Sequence, residues 1–140
     1  MSKIVITGGT GFLGKAVRKA LLCSSDTIIP LRGRGEWDLT KQKHVEYLFA
    51  HNTPDVIVHL AARVGGIGAN KENPGLFMYE NLAMGMNLIE TARKYGALKK
   101  FVMVGTVCAY PKFTPVPFKE EDIYPAEPES SYGWSKLLGE

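Results

Sequence analysis

Residues 3–14 read KIVITGGTGFLG. Lys3–Thr7 is a short apolar run rich in β-branched residues, the pattern of a buried strand. Gly8, Gly11 and Gly14 follow at a regular spacing, and Phe12–Leu22 carries Leu13, Val17, Ala20 and Leu21 at helical intervals. A strand, a glycine turn and a helix in that order can cradle phosphates. One glycine makes the tight turn, one admits backbone amides to a pyrophosphate, and one lets helix pack on strand. The helix N-terminus adds partial positive charge. Gly8, Gly9, Thr10, Gly11, Phe12, Leu13 and Gly14 are therefore the first candidate coenzyme-binding residues.

The next strand, Asp26–Leu31, indicates which dinucleotide is expected. Pro30 removes a ladder donor and belongs at the strand's end. NAD sites place an acid about 20 residues past the glycine turn, on the ribose 2′-hydroxyl. Here the strand runs into Leu31-Arg32-Gly33-Arg34. A guanidinium there pairs with the 2′-phosphate of NADP, which an acid would repel. Arg32 and Arg34 thus favour NADP(H) over NAD(H). Asp38 and Leu39 are expected to border the adenine.

Further along, Thr40 is positioned to cap a helix reaching about His51, with Val45, Leu48 and Phe49 inward. Asp55–Leu60 reads as a third strand and Val64–Asn70 as a glycine-rich loop. A long helix covers about Pro74–Tyr95, with an apolar stripe of Leu76, Tyr79, Leu82, Met86 and Ile89, and Gly96 ends it. Lys100–Val104 is a fourth strand. The stretch 108–128 is loop-like, with Pro111, Pro115, Pro117, Pro125 and Pro128. Ser130 or Ser131 caps a last helix. Strands alternating with helices predict an α/β fold, a doubly wound parallel sheet with right-handed crossovers. Lys100–Val104 would be an open apolar edge. We therefore expect the first half of a longer enzyme, truncated before its last strands, or a partner chain over that edge.

Composition excludes several classes. The chain has 140 residues, 45% hydrophobic and 22% charged, which is globular rather than disordered. Apolar runs such as Phe101–Val104 fall far short of the ~20 residues of a membrane helix, and the N-terminus does not read as a signal peptide. Cys23 and Cys108 sit in dissimilar contexts, which suits a reducing cytoplasm rather than a disulfide framework. A net charge of +3 gives no case for nucleic acid. Lys119–Glu140 carries −4 and the first 118 residues +7, a balance that suits a phosphate-bearing ligand. His44, His51 and His59 form no metal-ligand pattern, so no metal is expected.

Tyr132-Gly133-Trp134-Ser135-Lys136 puts Tyr132 and Lys136 at i, i+4 on one helical face. An ammonium beside a phenol favours phenolate and lowers its pKa, so Tyr132 could exchange a proton with a carbonyl or alcohol near neutral pH. Thr106, just past the fourth strand, offers a hydroxyl for the same oxygen.

The combination resembles the extended short-chain dehydrogenase/reductase family. The likeness rests on Thr7-Gly8-x-x-Gly11-Phe12-x-Gly14, Asp55-x-x-x-His59-Leu60-Ala61-Ala62, Asn81, Thr106 and Tyr132-x-x-x-Lys136. It implies a Rossmann-type coenzyme-binding domain over residues 1–140, with Leu60, Ala61, Ala62, Tyr132 and Lys136 against the coenzyme. It also implies chemistry on nucleotide sugars by hydride transfer at C4. Segments 31–39, 61–67 and 105–111 resemble members that epimerise GDP-4-keto-6-deoxymannose at C3 and C5 and reduce C4 with NADPH. Pro125-Ala126-Glu127-Pro128 before Tyr132 resembles members that epimerise GDP-mannose with bound NAD, a reading the arginines oppose. By the resemblance Thr106, Cys108, Tyr132 and Lys136 are catalytic, and Cys108 moves the ring protons. Thr106 stands where the family has serine, and Val107 replaces a small polar residue. The histidine partner of Cys108, the GDP-binding residues and the small substrate domain would lie beyond Glu140. The 140 residues alone are then expected to bind coenzyme without turnover. The resemblance further implies a homodimer through the long helix and the Ser130–Glu140 helix.

Overall fold

Strand β1 (Lys3–Thr7) lies in the interior of a parallel sheet, between β2 (Thr27–Pro30) and β3 (Val56–His59). β4 (Lys100–Met103) pairs with β3, giving the order β2-β1-β3-β4. The chain leaves β1 towards one edge and returns on its other side for β3. Such a reversal opens a crevice at the carboxyl ends of the strands, where α/β sheets bind ligands. The register pairs Ile4 with both Ile28 and Val56, and Val58 with Val102. The computed structural model describes residues 1–33 and 35–140. Arg34, the expected 2′-phosphate ligand, lies outside the described residues.

The described residues form two compact units, Met1–Ala62 with Ala83–Val104, and Arg63–Leu82 with Gly105–Glu140. The first holds the sheet. Val5 and Ile57 join Leu48 and Phe49 of α2 (Gln42–Asn52), and Met84 and Leu88 of α4 (Pro74–Tyr95), in one buried cluster. Each such side chain contributes roughly 1.5–3 kcal/mol on burial. Asp55 ties the strand starts together. Its carboxylate accepts from the Lys3 amide at 2.8 Å and pairs with Lys99 Nζ at 2.8 Å. Those two contacts hold its carboxyl below the ordinary range, the Lys99 hydrogen bond most strongly.

Several expectations need correction. Helix α1 (Phe12–Leu21) buries only Gly14, and Leu13 and Ala20 are exposed. Thr40 does not cap α2. Its hydroxyl donates to Asp38 Oδ1 at 2.6 Å, and Lys41 takes the cap position without a side-chain bond. On α4, Leu76, Tyr79, Met86 and Ile89 face outward, and Phe77, Glu80, Asn81, Met84 and Leu88 are buried instead. Gly96 follows the helix with φ 70°. A short helix α3 (Ile67–Glu72) occupies part of the expected glycine-rich loop.

Candidate functional site

In the first unit, Gly8 adopts φ 66°, a left-handed conformation that glycine takes at no steric cost. A Cβ there would lie 2.9 Å from the Ala61 amide nitrogen. A Cβ on Gly14 would overlap the Gly8 carbonyl oxygen. The turn is therefore wound as tightly as a pyrophosphate cradle requires. Gly11 precedes α1, no side chain caps that helix, and its first turn holds no acid. Thr10, Gly11, Phe12 and Leu13 are all exposed at this end. The floor is held by Thr7, whose Oγ1 accepts from the Ala61 amide at 3.1 Å and sits 2.7 Å from His59 Nδ1. Leu60, Ala61 and Ala62 continue past β3, half-buried. Arg32 is exposed, and Leu39 puts its side chain in the core. These residues fit a dinucleotide, with amides at the helix start and the strand ends for its phosphates and adenosine.

In the second unit, α5 (Ser131–Leu137) starts at Ser130, whose Oγ accepts from the Gly133 amide at 3.1 Å. Ser130 rather than Ser131 is thus the cap. Tyr132 lies in the first turn and Lys136 one turn on, the latter only 4% exposed. A 3-10 turn, Val107–Ala109, opens at Thr106, whose Oγ1 accepts from the Cys108 amide at 3.2 Å. The two elements pack together through Gly133, where a Cβ would overlap the Cys108 carbonyl oxygen. Cys108 is an exposed free thiol.

Burial raises the Tyr132 phenol above its ordinary pKa, negative charge at Cys108 raises it further, and a Thr106 hydrogen bond partly opposes both. Burial also lowers the Lys136 ammonium. The phenol therefore moves opposite to the sequence expectation. Helical spacing does bring Tyr132 and Lys136 onto one face, but desolvation dominates each of them.

Cys108 and Tyr132 line a cavity of about 780 Å³ together with Gly65, Asn70, Lys112 and Ser131. That volume lies within the ~300–1,000 Å³ common for ligand pockets. The wall at Gly65 is set by Asn81, whose Oδ1 accepts from the Arg63 amide at 2.8 Å and whose Nδ2 donates to the Arg63 carbonyl at 3.1 Å. Arg63 also pairs with Glu80. Sequence reasoning missed Gly133, although a glycine inside a helix costs about 1 kcal/mol and so implies a reason. Asn70 carried no sequence signal. Among the described residues no group of His, Cys, Asp or Glu could hold a metal ion. No helix among them is long and apolar enough to cross a membrane.

A doubly wound parallel sheet with a glycine phosphate turn, and a Tyr-x-x-x-Lys helix, define a Rossmann-like nucleotide-coenzyme protein. The chain belongs to the NAD dependent epimerase/dehydratase family, which matches residues 4–140. It is 36% identical over 140 residues to a probable GDP-L-fucose synthase 1 of Oryza sativa subsp. japonica, covering 98% of this chain and 43% of that protein. It is 33% identical to GDP-mannose 3,5-epimerase 1 of Oryza sativa subsp. indica, over 99% of this chain and 40% of that one. A GDP-D-glycero-L-gluco-heptose synthase from Campylobacter jejuni, solved in the presence of NADPH, superposes with a TM-score of 0.89 at 30% identity. That match covers 99% of this chain and 41% of the solved one. The chain thus spans about two-fifths of the length of these relatives.

Proposed function

We propose that the chain belongs to an NADPH-dependent enzyme of the GDP-L-fucose synthase type, which epimerises GDP-4-keto-6-deoxymannose at C3 and C5 and reduces it at C4. The observation that carries this reading is the joint position of Cys108 and Tyr132 on one cavity, with Thr106 opening the turn that bears the thiol. The C4 ketone makes the protons on C3 and C5, its two α-carbons, acidic, because loss of either gives an enolate. Cys108 is the acid or base on one face of the ring carbon, and inversion needs a second proton donor or acceptor on the opposite face. Thr106 holds the C4 oxygen. Tyr132 gives that oxygen its proton, and a phenol raised above its ordinary pKa is fully loaded for that task at neutral pH. The coenzyme, when bound, supplies the hydride to C4. Gly8, Gly9, Thr10, Gly11, Phe12, Leu13 and Gly14 would hold its pyrophosphate, and Arg32 and Arg34 its 2′-phosphate. Asp38, Leu39, Leu60, Ala61 and Ala62 would border its adenosine, and Lys136 its nicotinamide ribose.

The outward face of α4, with Tyr79 and Met86 each 62% exposed, supports a homodimer built on that face. A reducing cytoplasm suits the exposed free thiols of Cys23 and Cys108. The function is tested by mixing the intact enzyme that carries this chain with NADPH and GDP-4-keto-6-deoxymannose and following nicotinamide oxidation and GDP-fucose formation. Oxidation with product supports the reading. Exchange of ring protons without NADPH consumption would instead favour an NAD-type 3,5-epimerase, the activity named for the 33% identical Oryza sativa protein. Coenzyme binding with neither event would favour a binding module without turnover.

A further inference from the structure

The buried histidine of β3 has no part in the chemistry described above. His59 is 1% exposed, and its Nδ1 lies 2.7 Å from the hydroxyl of Thr7, which is fully buried as well. Thr7 is the last residue of β1, directly before the glycine turn. Its carbonyl accepts from the Leu60 amide at 3.2 Å, which carries the pairing of β1 with β3 to its end. One residue on, the backbone ladder stops. Gly8 turns away at φ 66°, and its carbonyl accepts from the Gly11 amide at 2.9 Å. The Ala61 amide donates instead to Thr7 Oγ1, at 3.1 Å. A side chain thus stands in for the ladder where the turn begins, beside the point where a Cβ on Gly8 would meet the Ala61 nitrogen.

The direction of the Thr7–His59 bond follows from what each group can donate. A backbone N–H only donates, so Oγ1 gives a lone pair to Ala61. The hydroxyl hydrogen remains to be placed, and no third polar group meets Oγ1 among the described residues. Left without an acceptor in a site closed to solvent, it would be costly. It goes to Nδ1, which then carries a lone pair, and the neutral imidazole keeps its hydrogen on Nε2. The reverse arrangement, Nδ1–H donating to Oγ1, would leave the hydroxyl hydrogen unmet. The ring itself is set by packing, with the Phe101 ring of β4 6.4 Å away between centroids.

We propose that His59 is a positioning residue for the coenzyme, whose bare Nδ1 takes the Thr7 hydroxyl hydrogen, aims an Oγ1 lone pair at the Ala61 amide and so holds the end of β3 against the glycine turn. The inference rests on the coenzyme reading above and adds to it a residue that acts through Thr7 from behind the cradle. Without Nδ1 the hydroxyl is free to rotate, and its hydrogen can turn towards the Ala61 N–H. The separation of the turn from Leu60, Ala61 and Ala62 is then no longer fixed. The loss falls on coenzyme binding, since Thr7, Gly8, His59 and Ala61 all belong to the unit that holds the sheet.

The test uses the intact enzyme that carries this chain and measures NADPH dissociation constants by calorimetry. His59→Leu and Thr7→Val should each weaken NADPH binding about tenfold, the scale of one lost hydrogen bond. The double variant should bind no more weakly than Thr7→Val alone, because both changes act through one hydroxyl. His59→Asn keeps an acceptor on a short side chain and should bind NADPH as the wild type does, a rescue that simple filling of the core by leucine would not give. Nitrogen NMR of the wild type should show His59 neutral, with Nδ1 unprotonated. If Nδ1 carries the proton, or if His59→Leu binds NADPH as tightly as the wild type, the inference is overturned while the coenzyme reading stands. If His59→Leu does not fold, His59→Asn and the NMR signal decide, and an asparagine variant weakened as much as Thr7→Val overturns the inference. If the wild type does not bind NADPH, the coenzyme reading falls and the inference falls with it.

Discussion

Gly133 sits against the Cys108 carbonyl so closely that a Cβ on Gly133 would overlap its oxygen and come within 3.0 Å of its carbon. This contact couples the turn bearing the thiol to the helix bearing Tyr132. Helix propensity favours alanine over glycine by about 1 kcal/mol. Overpacking costs roughly 1–3 kcal/mol, and here the obstacle is backbone that cannot rotate away. The clash should therefore win. Gly133→Ala is expected to lower the thermal midpoint and to slow ring-proton exchange about 10²-fold, because the thiol is displaced from the ring. A variant with unchanged melting and unchanged exchange would show that the contact positions nothing.

The coenzyme turn makes a separate prediction. An L-residue in the left-handed region costs roughly 1–2 kcal/mol, and a Cβ on Gly8 also meets the Ala61 nitrogen at 2.9 Å. In a calorimetric titration, the wild type should prefer NADPH to NADH. Gly8→Ala should weaken NADPH binding at least about tenfold, and Arg32→Ala with Arg34→Ala should remove the preference. Equal binding of NADPH and NADH by the wild type would refute the 2′-phosphate assignment.

Much of this was legible in the sequence, and the exceptions have physical causes. The limits of β1 agree to the residue because a buried β-branched run ending in glycines allows little else. The buried face of α4 was misread because apolar side chains lie on both its exposed and its buried faces. Periodicity chose Leu76, Tyr79, Met86 and Ile89, while the true inner face includes Glu80 and Asn81. Those polar residues are tolerated inside because Arg63 meets both of them, a match formed between segments that local pattern cannot see. Thr40 failed as a cap for a similar reason, since Asp38 takes its hydroxyl. Tyr132 and Lys136 were legible as a pair, but the direction of the phenol's shift was not, because burial has no signature in spacing.

The titration of Lys136 gives a pH test. Burial holds its pKa below the ordinary 10.5, so above its folded pKa the folded protein binds fewer protons than the unfolded chain. Stability from this group therefore rises with pH across the window that ends at 10.5, and it is lost as pH falls through the folded pKa. Thermal midpoints of the wild type and Lys136→Met should be compared from pH 7 to pH 10. The wild type should gain on the variant as pH rises. A constant difference would mean that the ammonium is not desolvated.

The exposed stripe on α4 predicts association. Met86→Glu places a charge at a position 62% exposed, so the fold itself should tolerate it. Sedimentation should show a dimer for the wild type and a monomer for Met86→Glu at equal concentration. A wild type that sediments as a monomer would remove the homodimer.

The central claim is that Cys108 moves ring protons in a cavity where Tyr132 serves the C4 oxygen. It is tested most directly in deuterated water with GDP-4-keto-6-deoxymannose and NADPH, comparing the intact wild-type enzyme that carries this chain with its Cys108→Ser variant. The account predicts deuterium at C3 and C5 with the wild type. With the variant, that incorporation should fall far more than the rate of hydride transfer to an already epimerised substrate. Equal loss of both rates, or undiminished incorporation in the variant, would contradict it.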